Sequence, residues 1–270
     1  MDFKQAKGKM KKITVFARQY LRASISCLYL FTIGIFSSRH RCFISTICYH
    51  FGCKGGVKTL IPRVRLSDVL SDDLSVHLHS LTQVDGNISP VELLVITKLV
   101  QQYQPKMLFE IGTFDGKTTL NMAANCSAES KVYTLDLPKN GLNDTALALD
   151  VGDKAYINKE TSGSRYWGTE FEKKITQFYG DSAKFDFSPF YGKIDFAFVD
   201  GSHAYDYVLH DTEEVLKLMN ETNQSIILWH DYGEWNGVTR ALNELYRGDR
   251  RFSSLKHIDG TSLVYMNIKR

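Results

Sequence analysis

The stretch MLFEIGTFDGKT, residues 107–118, passes from a short apolar run, Met107–Ile111, through a turn bounded by Gly112 and Gly116 into a helix-forming sequence that starts at Lys117. An apolar run of this length, closed by glycine, reads as a buried strand. Glycines at both ends of the turn permit a tight reversal and a close backbone approach at a helix N-terminus. Downstream the alternation repeats. Val132–Leu135, Ile175–Tyr179, Ile194–Val199 and Ser225–Trp229 read as strands, and Lys117–Asn125, Tyr205–Met219 and Val238–Tyr246 as helices. Phe252–Ile258 and Ser262–Asn267 read as a hairpin around Asp259-Gly260. Upstream, Ser89-Pro90-x-Glu92 supplies the N-cap, first-turn proline and first-turn acid of a helix that Pro105 ends. The pattern predicts an α/β chain: a Rossmann-like, doubly wound, mostly parallel seven-stranded sheet with a C-terminal antiparallel hairpin. Residues 138–172 are long, polar and weakly patterned, and read as an insertion or lid.

Ligands of such sheets bind beyond the carboxyl ends of the strands, so residues just after each strand carry the chemistry. The first turn is not a P-loop: three residues separate Gly112 from Gly116-Lys117-Thr118, where a P-loop needs four. Phe114 interrupts a dinucleotide G-x-G-x-x-G. Glu110, Asp115, Asp136 and Asp181 place four carboxylates around one crevice, which would repel a pyrophosphate. They suit a ligand with a sulfonium, an ammonium and ribose hydroxyls, namely S-adenosylmethionine. Val199-Asp200-Gly201-Ser202-His203 and Trp229-His230-Asp231-Tyr232 follow the next two strands and bring Asp200, His203, His230 and Asp231 to one rim. Removing the proton of a hydroxyl calls for a base, and His203 has the side chain titrating nearest neutrality. Asp200 and Asp231 are hard oxygen ligands suited to Mg²⁺. Tyr205, Tyr207, Tyr232 and Trp235 cluster near the same rim, as stacking surface or as core.

E-I-G-T-F-D-G resembles the first motif of class I S-adenosylmethionine-dependent methyltransferases, in the catechol O-methyltransferase-like variant where an aromatic replaces the middle glycine. The likeness extends over about residues 85–268 and is greatest to the macrolide-sugar and rhamnosyl O-methyltransferases. It implies a cofactor site of Glu110, Gly112, Thr113, Phe114, Gly116, Thr118, Asp136, Leu137, Asp181, Ser182 and Asp200. Asp136 would bind the ribose hydroxyls, and Asp181 and Ser182 would read the adenine. It also implies catalysis by His203, Asp200 and Asp231, with Mg²⁺ on Asp200 and Asp231. His230 departs from the acidic residue of those relatives, which admits Mn²⁺ or no metal and makes His230 a further ligand or a neighbour of the site. The resemblance implies O-methylation of a small-molecule or glycan hydroxyl. A Rossmann-type nucleotide-cofactor oxidoreductase and a noncatalytic binding module on the same fold stay open as alternatives.

Net charge divides the chain. Residues 1–65 carry thirteen Lys/Arg and one acid, a balance of +12, and residues 66–270 carry twenty and twenty-nine, a balance of −9. The acidic body argues against nucleic acid. Residues 1–60 read as a basic, partly apolar segment and residues 61–270 as the methyltransferase domain, with a linker at Gly52–Pro62. The run Ala23–Ser38 is free of charge but short for a membrane span. It reads as an interfacial helix meeting a membrane through residues 1–50, as a packed helical pair, or as a signal or anchor segment. Cys27, Cys42, Cys48 and Cys53 form no CxxC pair and Cys126 stands alone, so neither a zinc site nor a disulfide framework is expected. The expected location is cytoplasmic, with a peripheral membrane contact, and a homo-oligomer is left open.

Overall fold

A computed structural model of the chain describes residues 3–37, 40–41, 44, 57–71, 73–222 and 224–268. Residues 52–56 of the expected linker and Cys42, Cys48 and Cys53 lie outside the described residues. The chain divides into two compact units, residues 1–55 and 56–270. The first holds α1 (Phe3–Phe31) and a 3₁₀ turn (Ile33–Phe36). Among the described residues no helix is long and apolar enough to cross a membrane.

The second unit is built on one eight-stranded sheet: β1 (Arg63–Val64), β2 (Met107–Ile111), β3 (Lys131–Asp136), β4 (Ile175–Tyr179), β5 (Phe196–Val199), β6 (Ser225–Trp229), β7 (Lys256–Ile258) and β8 (Val264–Ile268). Their order is β1-β7-β8-β6-β5-β2-β3-β4, and β8 alone runs antiparallel to its neighbours. Seven strands follow the sequence reading. The eighth, β1, pairs two residues with His257 and Ile258 and is too short to show as a pattern. The period-2 rule sorts the core. Phe109, Ile111, Ala197, Val199, Ile227 and Trp229 point to one face, beneath α5 (Tyr205–Leu218) and α6 (Asn236–Gly248). Leu108, Phe196, Phe198, Ile226 and Leu228 point to the other, beneath α2 (Pro90–Tyr103) and α3 (Lys117–Asn125). Both faces are therefore covered, and the central strands read as unbroken apolar runs.

Local chemistry places the elements. Ser89 and Glu92 close a reciprocal capping box at the start of α2, and Gln104 ends it in a left-handed conformation. From β2 the chain proceeds outward to β3 and β4, then returns to the other side of β2 as β5. Between β2 and β5 lies the topological switch point, where strand ends splay and leave a crevice. Residues 138–172 contain one short α-helix, α4 (Asp153–Ile157), and a 3₁₀ turn at Lys139–Gly141. Their end is tied to the β2 turn by Gly163 N–H to Phe114 O (2.9 Å) and Arg165 N–H to Asp115 O (3.0 Å).

Candidate active site

The β2 turn forms the floor of the crevice. Gly112 has φ +99, and a Cβ there would lie 1.9 Å from the Asp200 carbonyl oxygen, so only glycine lets the β2 and β5 turns meet. Phe114, at φ +48, holds a backbone conformation unusual for a bulky side chain. Glu110 is fully buried behind this turn. Its Oε2 accepts from Thr119 and from Thr134 (2.6 Å), and its Oε1 has no hydrogen-bond partner among the described residues. Burial, with Asp200 and Asp136 nearby, pushes its carboxyl up to about 8 against the pull of the two threonines. The Thr113 hydroxyl is shared with Thr134 and Gln177. Thr113, Gly116, Thr118 and Glu110 do not line the crevice, whereas Gly112 and Phe114 do.

The next two strand ends contribute Asp136, Leu137, Asp181 and Ser182, all lining the crevice. Asp136 Oδ1 accepts from Phe114 N–H at 3.3 Å, and its Oδ2 meets Lys159 Nζ at 2.7 Å and the Ser162 hydroxyl. Asp181 accepts from Ala146 N–H (2.6 Å) and from the Tyr207 hydroxyl (2.8 Å). Lys159, Ser162 and Ala146 all belong to the segment 138–172, so this segment engages both carboxylates expected to hold the nucleoside.

On the other side of the switch point lies a chain of alternating carboxylates and imidazoles. His203 Nδ1 is 2.5 Å from Asp153 Oδ1 and its Nε2 is 2.7 Å from Asp231 Oδ2. His230 Nδ1 is 3.0 Å from Asp200 Oδ1 and 3.2 Å from Asp231 Oδ2. Its Nε2 faces Glu92 Oε2 at 3.4 Å, an ion-pair distance without hydrogen-bond alignment. Burial disfavours charge on His203, but the bonds to Asp153 and Asp231 outweigh it and raise the ring to about 10. His230 is raised well above its ordinary value: burial opposes its charge, and Asp231 and Asp200 overcome that. Asp231 is held well below the usual carboxylate range, since the two rings outweigh its burial, and it sits at φ +66. At neutral pH this arrangement makes His203 an imidazolium, with both N–H groups donating.

The aromatic cluster divides. Trp235 lines the crevice and stacks on the His203 ring at 3.9 Å between centroids. Tyr207 also lines it. Tyr232 is buried, its hydroxyl accepting from Leu60 and Ile61 N–H, and Tyr205 lies outside under the Arg240 guanidinium. Sequence reasoning missed Asp153, Lys159 and Glu92 as site residues. Glu92 was visible only as a capping acid, and Asp153 and Lys159 lie in the unpatterned segment.

The crevice encloses about 460 Å³, within the range of small-molecule sites. Eight carboxylates line it against one lysine and two histidines. Asp200, His230 and Asp231 each offer one ligand atom, all within 4.8 Å of one another. A hard divalent cation at about 2.1 Å from its ligands sets adjacent donors about 3.0 Å apart. Two of the three pairs have that spacing: His230 Nδ1 is 3.0 Å from Asp200 Oδ1 and 3.2 Å from Asp231 Oδ2.

Residues 109–232 match a family model described as a methyltransferase domain. A search of curated proteins found no match. Among solved structures, an O-methyltransferase from Bacillus cereus in complex with SAH is 17% identical, over 69% of this chain and 84% of that one, with a TM-score of 0.48. The O-methyltransferase TomG from Streptomyces achromogenes, involved in tomaymycin synthesis and in complex with SAM, is 15% identical over 68% and 82%, with a TM-score of 0.47. The SAH-bound methyltransferase PaMTH1 from Podospora anserina is 15% identical over 69% and 81%, with a TM-score of 0.49.

Proposed function

We propose that this chain, whose residues 109–232 match a methyltransferase-domain model, is an S-adenosylmethionine-dependent O-methyltransferase acting on an uncharged hydroxyl of a small molecule or glycan intermediate. The observation that carries the reading is the acid-lined crevice at the switch point, entered by the Gly112 turn. A strongly negative cavity favours a cationic sulfonium and disfavours a pyrophosphate, which weighs against the oxidoreductase alternative. It disfavours anionic acceptors for the same reason.

Within this reading Asp136 and Asp181, at the ends of β3 and β4, hold the nucleoside. Phe114 and Leu137 wall the same side. S-adenosylmethionine supplies an activated methyl group, so the chain's task is to align the acceptor and manage its proton. His203 lies across the crevice from those carboxylates. Asp153 accepts from Nδ1–H and so fixes ring orientation, leaving Nε2 on the side of Asp231. His203 serves as base in the state where Nε2 has released its proton and its bond to Asp231; Asp153 maintains the Nδ1–H tautomer in that state. Asp200, Asp231 and His230 would hold a divalent cation, which would lower the acceptor hydroxyl's pKa.

The test is transfer of labelled methyl from S-adenosylmethionine to a panel of neutral polyol, phenolic and anionic hydroxyl compounds. The reading predicts transfer to a neutral acceptor and its loss in His203→Gln. Transfer only to anionic acceptors would overturn the acceptor class, and unchanged turnover in His203→Gln would overturn the base.

A further inference from the structure

The catalytic reading leaves residues 1–55 unused, yet they hold the steepest charge and hydropathy contrast in the chain. Residues 3–67 contain no acid at all. Five of the seven cationic positions of α1, namely 4, 7, 11, 18 and 22, follow spacings of three, four and seven. At about 100° per residue they fall in one stripe along the helix. Phe16, Tyr20, Leu21, Leu28 and Phe31 lie away from that stripe and are each more than half exposed. The exposed apolar surface continues through the following turn, where Phe36 is 85% exposed. Arg41 donates through Nη1 to the Ile35 and Phe36 carbonyls (3.2 and 3.3 Å), setting a guanidinium at the end of this turn.

We propose that residues 3–41 form a membrane-surface segment, with α1 lying in the interface of an anionic bilayer, its aromatic and leucine side chains in the acyl boundary and its basic stripe on the headgroups. Several observations select this occupant. The helix is not apolar enough to span a bilayer. A second copy of the segment would set a balance of +9 against another +9. A polyanion without an apolar phase would leave the exposed aromatics and leucines in water. An anionic bilayer satisfies both faces at once.

The test is co-sedimentation of the full chain with vesicles of phosphatidylcholine alone, and of phosphatidylcholine and phosphatidylglycerol in equal parts, at low and high salt. The proposal expects binding to the anionic vesicles, weakened by salt. R18Q/R22Q should reduce that binding about 25-fold, taking roughly fivefold per basic residue at the surface. L21S/L28S should reduce it further at every salt concentration. Both variants should retain wild-type affinity for SAH, which separates this test from the catalytic reading, and wild-type helical circular dichroism, which shows that α1 is kept. Absence of binding to anionic vesicles at low salt would overturn the proposal. So would wild-type vesicle binding by both variants, a dimer lost in L21S/L28S that accounts for the sedimentation, or tighter binding to single-stranded RNA than to vesicles.

Discussion

The carboxylate of Asp136, at the end of β3, is held by Lys159 Nζ at 2.7 Å and by the Ser162 hydroxyl, both from the segment between β3 and β4. The group read as the ribose ligand is thus already paired from above, at a site shielded from solvent. Any nucleoside that uses Asp136 must share it with this segment or displace it.

That pairing makes the two partners respond oppositely. Asp136→Ala should weaken SAH binding about 10- to 100-fold, the loss expected for one or two charge-assisted hydrogen bonds. Lys159→Gln removes a positive charge from the crevice and should tighten S-adenosylmethionine, a net cation, about threefold more than SAH, a zwitterion without the sulfonium charge. Calorimetric titration of both ligands checks the sign; an equal effect on the two would show that the charge of Lys159 is not felt in the crevice.

His203 links stability to pH. Its ring is raised to about 10, above an unfolded value near 6.5. The associated stabilisation is fully present below about pH 6.5 and is lost as pH rises through about 10, on the order of a few kcal/mol. Thermal melts between pH 6 and 10.5 should fall more steeply for the wild type than for His203→Gln. Asp153→Asn should shrink the same slope and reduce methyl transfer by up to about four orders of magnitude, as loss of a histidine's orienting carboxylate does. Parallel melting curves for all three would contradict the bridge.

Glu110 works over a lower range. A buried carboxyl raised to about 8 favours folding while protonated. Its contribution is fully present below about pH 4.5 and declines as pH rises through about 8. Glu110→Gln keeps the shape without the ionisation, so its stability relative to wild type should improve steadily from pH 5 to 9. A difference independent of pH would show that Glu110 is ionised throughout.

The Asp200, His230 and Asp231 cluster predicts metal dependence. Prolonged treatment with EDTA should abolish methyl transfer, and added Mg²⁺ or Mn²⁺ should restore it. Asp231→Asn should raise the metal concentration needed for half-restoration by at least about tenfold, the loss that follows even when a residue merely supporting a metal ligand is changed. Full activity after EDTA would show that the carboxylate–imidazole chain acts without a cation.

The parts legible in sequence were those set by local pattern. Runs such as FAFV and SIILW announce central strands because both faces are buried, and the Ser89-Pro90-x-Glu92 cap forms as its chemistry demands. Boundaries slipped where long-range contacts decide them. Ile194 makes only an isolated bridge to Met219, so β5 starts at Phe196. Phe252 belongs to a 3₁₀ turn, so β7 starts at Lys256. Within the site, residues directly following strands were placed at the crevice, including Asp200, His203, His230 and Asp231. Asp153 was invisible because its partner lies fifty positions away and its own surroundings carry no periodicity. Thr113 and Thr118 carry hydroxyls suited to a ligand, but their side chains face the interior, which only the turn's conformation decides.

The most direct measurement is calorimetric titration of the full chain with SAH and, separately, with NAD⁺. The account predicts saturable SAH binding at one site per chain, weakened about 10- to 100-fold in Asp136→Ala, and no binding of NAD⁺. Folded protein that takes up no SAH, or that binds NAD⁺ with an affinity indifferent to Asp136→Ala, would contradict it.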